Sequence, residues 1–124
     1  ELVIVNVINQ KIIDTTYTAL NRMHKKDFHR VSLQTCTEQL LEEHNEKMQA
    51  LKDEYDFSGL NVDFSVLTGV PYKEILAAVS DLNADLVLIG VKGRGDIADM
   101  IVGSTALKLF RRCPVPLITI RDNH

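Results

Sequence analysis

The chain has 124 residues, 45% of them hydrophobic, which is enough for one domain with a real core. A net charge of −3 and a pI near 5.8 leave no global positive field for a polyanion, so nucleic acid is not an expected partner. No apolar run approaches the ~20 residues of a membrane span, the first residues do not resemble a secretory leader, and Cys36 and Cys113 stand at neither a metal-ligand nor a redox-pair spacing. The expectation is a soluble, cytoplasmic protein without membrane insertion or a metal site.

Leu2-Val3-Ile4-Val5-Asn6-Val7 is β-branched and almost continuously apolar, which predicts a strand covered on both faces. From Asn9 to Arg30 the pattern is weak and reads as a connection with one short helix, capped by Asp14-Thr15-Thr16 ahead of Tyr17, Leu20 and Met23. Leu33, Cys36, Leu40, His44, Met48, Leu51 and Tyr55 recur every three or four residues and predict an amphipathic helix of about six turns, stopped by Gly59. His44 in that stripe reads as a boundary packing residue, and the acidic run from Glu38 to Asp56 as the solvated face. Val62, Phe64 and Val66 alternate with Asp63 and Ser65, the mark of an edge strand with one wet face.

Pro71 suits the first position of the next helix, whose apolar side is Tyr72, Ile75, Leu76, Val79 and Leu82. Leu86 to Ile89 is a second fully apolar strand, Ser104 to Arg112 a helix with basic residues in its last turn, and Val115 to Ile120 a final strand. Strands alternating with helices predict an α/β fold, a doubly wound parallel sheet of the Rossmann-like three-layer α/β/α kind with right-handed crossovers. No internal repeat or low-complexity linker interrupts it.

The chemistry concentrates between Gly90 and Thr105. Gly90, Gly93, Gly95 and Gly103 fall within fourteen residues, outside the carboxyl end of a strand, where ligands bind in open α/β sheets. Gly103-Ser104-Thr105 lies where the following helix begins, so unpaired N–H groups, the helix dipole and two hydroxyls offer a seat for phosphate. Lys92 and Arg94 would add charge there; a tight turn with a Ser cap would need fewer glycines. A P-loop is excluded because no Gly-Lys pair occurs. Gly93-x-Gly95-x-x-Ala98 with Asp122 matches a loose dinucleotide fingerprint, but its first glycine stands several residues past the strand and the helix starts only near Ser104. Arg94-Gly95-Asp96, an adhesion tripeptide elsewhere, reads as chance.

The spacing Gly90, two residues, Gly93, nine residues, Gly103-Ser104 resembles the nucleotide-binding signature of the universal stress protein family. Ala84 to Gly90 is similar to the strand before that motif, Cys113 to Arg121 to the family's last strand, and Leu2 to Asn9 to its second strand. The resemblance implies that Gly90, Gly93, Gly103, Ser104 and Thr105 hold ribose and phosphates of ATP, with or without Mg2+, and that Lys92 occupies a variable motif position. It implies that Ile89 and Val7 line an adenine pocket, and that a homodimer forms through the last strand, where Pro114 and Pro116 suit an edge.

Family members carry a strand and helix ahead of the one at Leu2, with an Asp that contacts nucleotide; nothing here corresponds. The expectation is therefore one N-terminally incomplete domain holding half of the pocket. The leading expectation of function is a regulatory, ATP-binding stress-response module. The alternative is a dimerising interaction domain that binds no nucleotide, an appendage of a larger protein. For a slow ATPase or self-phosphorylating enzyme only Asp96, Asp99 and Lys92 lie near enough, none with a supporting partner, and no catalytic residue is assigned.

Overall fold

The computed structural model describes residues 1–23, 31–91 and 103–121, and the chain divides into two compact units, Glu1–Val70 and Pro71–His124. In the first, β1 (Leu2–Asn9) pairs in parallel with β2 (Val62–Gly69), in register from Leu2 opposite Val62 to Asn9 opposite Gly69. Helix α1 (Gln10–Met23) follows β1 without a break. The Asn9 side chain accepts a hydrogen bond from the Lys11 N–H at 3.0 Å and so satisfies a donor of the first turn. The expected cap at Asp14-Thr15-Thr16 is therefore corrected: these residues lie inside the helix. Thr15 and Thr18 donate their hydroxyls to the carbonyls of Lys11 and Asp14, at 2.7 and 2.8 Å.

Helix α2 (Leu33–Glu54) opens on Ser32, whose hydroxyl accepts from the Thr35 N–H at 3.0 Å. It ends when the Tyr55 N–H reaches the Leu51 carbonyl. Gly59 does not stop it; with φ +83 it turns the chain toward β2, beside the Leu60 N–H to Phe57 carbonyl bond. Along the predicted stripe Cys36 is buried and Leu40, His44, Met48 and Leu51 are half-buried, whereas the end residues Leu33 and Tyr55 are exposed. Ile8, Ile13 and Cys36 form the closed centre of this unit. Only Asp63 of β2 is exposed and Ser65 is half-buried, so the wet face is narrower than the alternation suggests. Phe57 stands edge-on to Phe64 at 5.8 Å, covering the start of that strand.

In the second unit, α3 (Pro71–Asp81) leads to β3 (Val87–Val91), and α4 (Ser104–Arg112) to β4 (Leu117–Arg121). Helix α3 closes with Asn83 in the left-handed region at φ +48, the Ala84 N–H on the Val79 carbonyl and the Asn83 N–H on the Ser80 carbonyl. This end leaves Leu82 off the helix and exposed, not on its apolar side. Strands β3 and β4 are parallel, from Val87 opposite Leu117 to Val91 opposite Arg121. Pro114 and Pro116 both precede β4 instead of lying within it, and the Pro116 carbonyl accepts from the Val87 N–H. Val79, Ala106 and Leu109 are buried, but Leu88, Ile118 and Ile120, which share one face of the pair, are about half exposed. The expectation of strands covered on both faces does not hold there among the described residues.

Parallel strands alternating with helices make this a Rossmann-like α/β fold, as the sequence predicts. Among the described residues no helix is long and apolar enough to cross a membrane.

Candidate functional site

Gly90 sits in β3 opposite Ile120, one residue before the strand's end, and Gly103 is the N-cap of α4. The two therefore bracket the strand-to-helix connection on which the motif lies. Gly103 has φ −51 and ψ 152, a conformation open to most residues. A Cβ built on either glycine meets nothing within 4 Å. Neither backbone strain nor internal packing among the described residues thus calls for glycine at these two places. Open space against bare backbone at the mouth of a helix is what a ligand that needs close approach would use.

The N-terminus of α4 supports that use. Among the described residues no side chain caps it, and the Leu107 N–H bonds to the Gly103 carbonyl at 3.0 Å. The N–H groups before Leu107 form the positive end of the dipole. Ser104 is exposed and Thr105 half-buried, so the Ser104 hydroxyl is open to solvent beside those donors. Helix α4 has no acidic residue in its first turn to compete with an anion, and Arg111 and Arg112 sit in its last.

Ile89 is half-buried in β3 opposite Thr119, and Val7 half-buried in β1 opposite Leu67. They belong to different units, and each has a plain packing place in its own. Lys92 and Gly93 lie outside the described residues, as do Arg94, Gly95, Asp96, Ala98, Asp99 and Asp122. The described residues contain no cluster of His, Cys, Asp and Glu suited to a metal.

Two arrangements went unseen in the sequence. Asn6 of β1 and His44 of α2 are joined at 2.8 Å, with the ring Nδ1–H donating to the Asn6 amide oxygen, which can only accept. Tyr72 of α3 carries two cations of α4: Lys108 Nζ lies 4.9 Å and the Arg112 guanidinium carbon 5.2 Å from the ring centre. Arg112 also donates to the Tyr72 hydroxyl at 3.3 Å. Neither pairing has a local signal, since the partners are 38 and 40 residues apart.

Comparison with known proteins agrees with this fold. Over its full length the chain superposes on the solved structure of hypothetical protein MJ0577 with a TM-score of 0.71 at 20% identity, covering 77% of that protein. Against hypothetical protein PH0823 the TM-score is 0.70 at 22% identity, with 98% of this chain and 76% of that one covered. In sequence it is 24% identical over 82 residues to universal stress protein MJ0577 of Methanocaldococcus jannaschii, 66% of this chain and 51% of that protein. To universal stress protein MJ0531 of the same organism it is 26% identical over 90 residues, 73% and 53%. The chain thus spans about half the length of these curated relatives. The sequence model of the universal stress protein family matches residues 3–121, and with that extent the chain belongs to the universal stress protein family.

Proposed function

We propose that this chain is a regulatory module that binds an adenine nucleotide, ATP, at the mouth of β3 and α4. The observation that carries the reading is the start of α4 behind Gly103, which among the described residues has no side-chain cap, no acidic residue in the helix's first turn and open space where a Cβ on Gly103 would stand. The Gly103, Ser104 and Thr105 N–H groups and the two hydroxyls would hold phosphate, with Gly90 leaving room beside them. Lys92 and Gly93 complete the motif in sequence, and Ile89 stands next to Gly90 on the strand. Mg2+ would arrive with the phosphates it coordinates. A cytoplasmic location and a homodimer through β4 belong to the same reading. No step of hydrolysis is assigned.

A second reading, an interaction domain that dimerises without nucleotide, is favoured by one observation: the half-exposed apolar face of Leu88, Ile118 and Ile120. The two part in a calorimetric titration of Mg·ATP into the chain and into Gly103→Val, whose β-branched side chain would occupy the approach to α4. Saturable binding by the parent that the variant loses supports the nucleotide module. A folded, nucleotide-free parent that takes up no heat with ATP, ADP or AMP sinks it and leaves the interaction domain.

A further inference from the structure

Tyr72 gathers positive charge. Lys108 and Arg112 both lie over its ring, one helical turn and about 6 Å apart along α4. Arg111 is on the same side, the three spanning an arc of roughly 100°. All three side chains are exposed, and the only ion pair among the described residues joins Lys47 to Glu43 within α2. An aromatic face offsets part of the repulsion between two cations, but it is no counter-charge.

The opposite sign is found on α2. Glu38, Glu42, Glu46 and Asp53 are all exposed and fall within an arc of roughly 80°, on the side away from Cys36, Leu40 and Leu51. The α2 cations, Lys47 and Lys52, stand outside that arc. Glu38 and Asp53 accept hydrogen bonds from Gln34 and Gln49, which are neutral, so the stripe keeps its charge. Glu42 and Glu46 repeat the spacing of Lys108 and Arg112: one turn, about 6 Å. The asymmetry extends to the units, with eleven acidic against seven basic residues in Glu1–Val70 and six against seven in Pro71–His124.

From this complementarity we infer that the basic face of α4 docks the acidic stripe of α2 from a second copy of the chain, Glu42 and Glu46 lying against Lys108 and Arg112. Made reciprocally about a two-fold axis, such a contact gives a dimer; made once per pair of copies, it is heterologous and builds rings or open chains. It is a contact of exposed charges, and its strength falls as salt shortens the screening length from roughly 30 Å at 0.01 M to roughly 3 Å at 1 M.

Sedimentation of the chain across a hundredfold concentration range at those two salt levels is the test. The expected result is a mass that rises with concentration at low salt, above whatever species persists at high salt. Glu42→Lys/Glu46→Lys alone and Lys108→Glu/Arg112→Glu alone should each lose that increment. Mixed together they should regain it, because each then offers the face the other lacks. Circular dichroism checks folding, and Glu42→Gln/Glu46→Gln, which removes charge without reversing it, should at least halve the salt-dependent fraction. A mass independent of salt overturns the proposal. So does salt-dependent assembly that survives both reversals, or an inert mixture of two folded variants.

Discussion

At Gly103 the backbone is ordinary and the space around it empty, which separates a requirement of the fold from a requirement of a ligand. Gly103→Ala should cost no more than about 1 kcal/mol, because the N-cap preference for glycine over alanine is partly offset by a less flexible unfolded chain. The same substitution should weaken ATP at least tenfold, read by thermal melting and calorimetry on one preparation. A large loss of stability would instead make the glycine structural. Asn6 and His44 pose the opposite case: a half-buried bond between strand and helix with no part in the proposed site. Asn6→Ala removes the acceptor and leaves the Nδ1–H unpaired, so urea denaturation should show a loss of about 1–3 kcal/mol with nucleotide affinity unchanged.

At the scale of elements, two exposed carboxylates, Glu43 in α2 and Asp56 just after it, contribute to how the chain meets acid. The Ser58 side chain and backbone N–H, the latter at 2.8 Å, hydrogen-bond to Asp56 and lower its pKa, and Lys47 does the same for Glu43. A carboxyl with a lowered folded pKa stabilises fully above its unfolded value near 4 and loses that contribution as pH falls through the folded value. Asp56→Asn should therefore lower the urea midpoint slightly at pH 7 and converge with the parent as pH falls below about 4, which flattens the acid limb. An unchanged acid limb would mean the Ser58 bonds do not persist in solution. Helix α2 itself was legible because Cys36, Leu40, Met48 and Leu51 keep a helical period and Ser32 is a strong cap. Helix α1 was not. Ile13 is its one buried residue, and Asp14-Thr15-Thr16 imitates a cap while the Thr15 hydroxyl back-bonds within the helix. Only Asn9, where strand meets helix, signalled the true start.

For the whole molecule, what could be read in advance is what depends on near neighbours. The α/β alternation and the places of Gly90, Gly103, Ser104 and Thr105 follow from runs of a few residues. The charged contacts on Tyr72 and the bond between Asn6 and His44 depend on tertiary approach, and no local pattern announces them. The exposed apolar face of Leu88, Ile118 and Ile120 is of the same kind, because the sequence shows that a strand is apolar and not which elements cover it. Stability is where these scales meet. A ligand that binds only the folded chain adds RT ln(1 + [L]/Kd), about 2.7 kcal/mol at a hundredfold excess over Kd. For a chain of this size that is a rise of roughly 8–14 °C in melting temperature. Mg·ATP should produce a saturable rise of that order in the parent, and Gly103→Ala should melt near the parent's ligand-free temperature while showing much less of the rise. If ATP moves both proteins equally, nucleotide is bound away from α4; if it moves neither, the start of α4 is not a nucleotide seat.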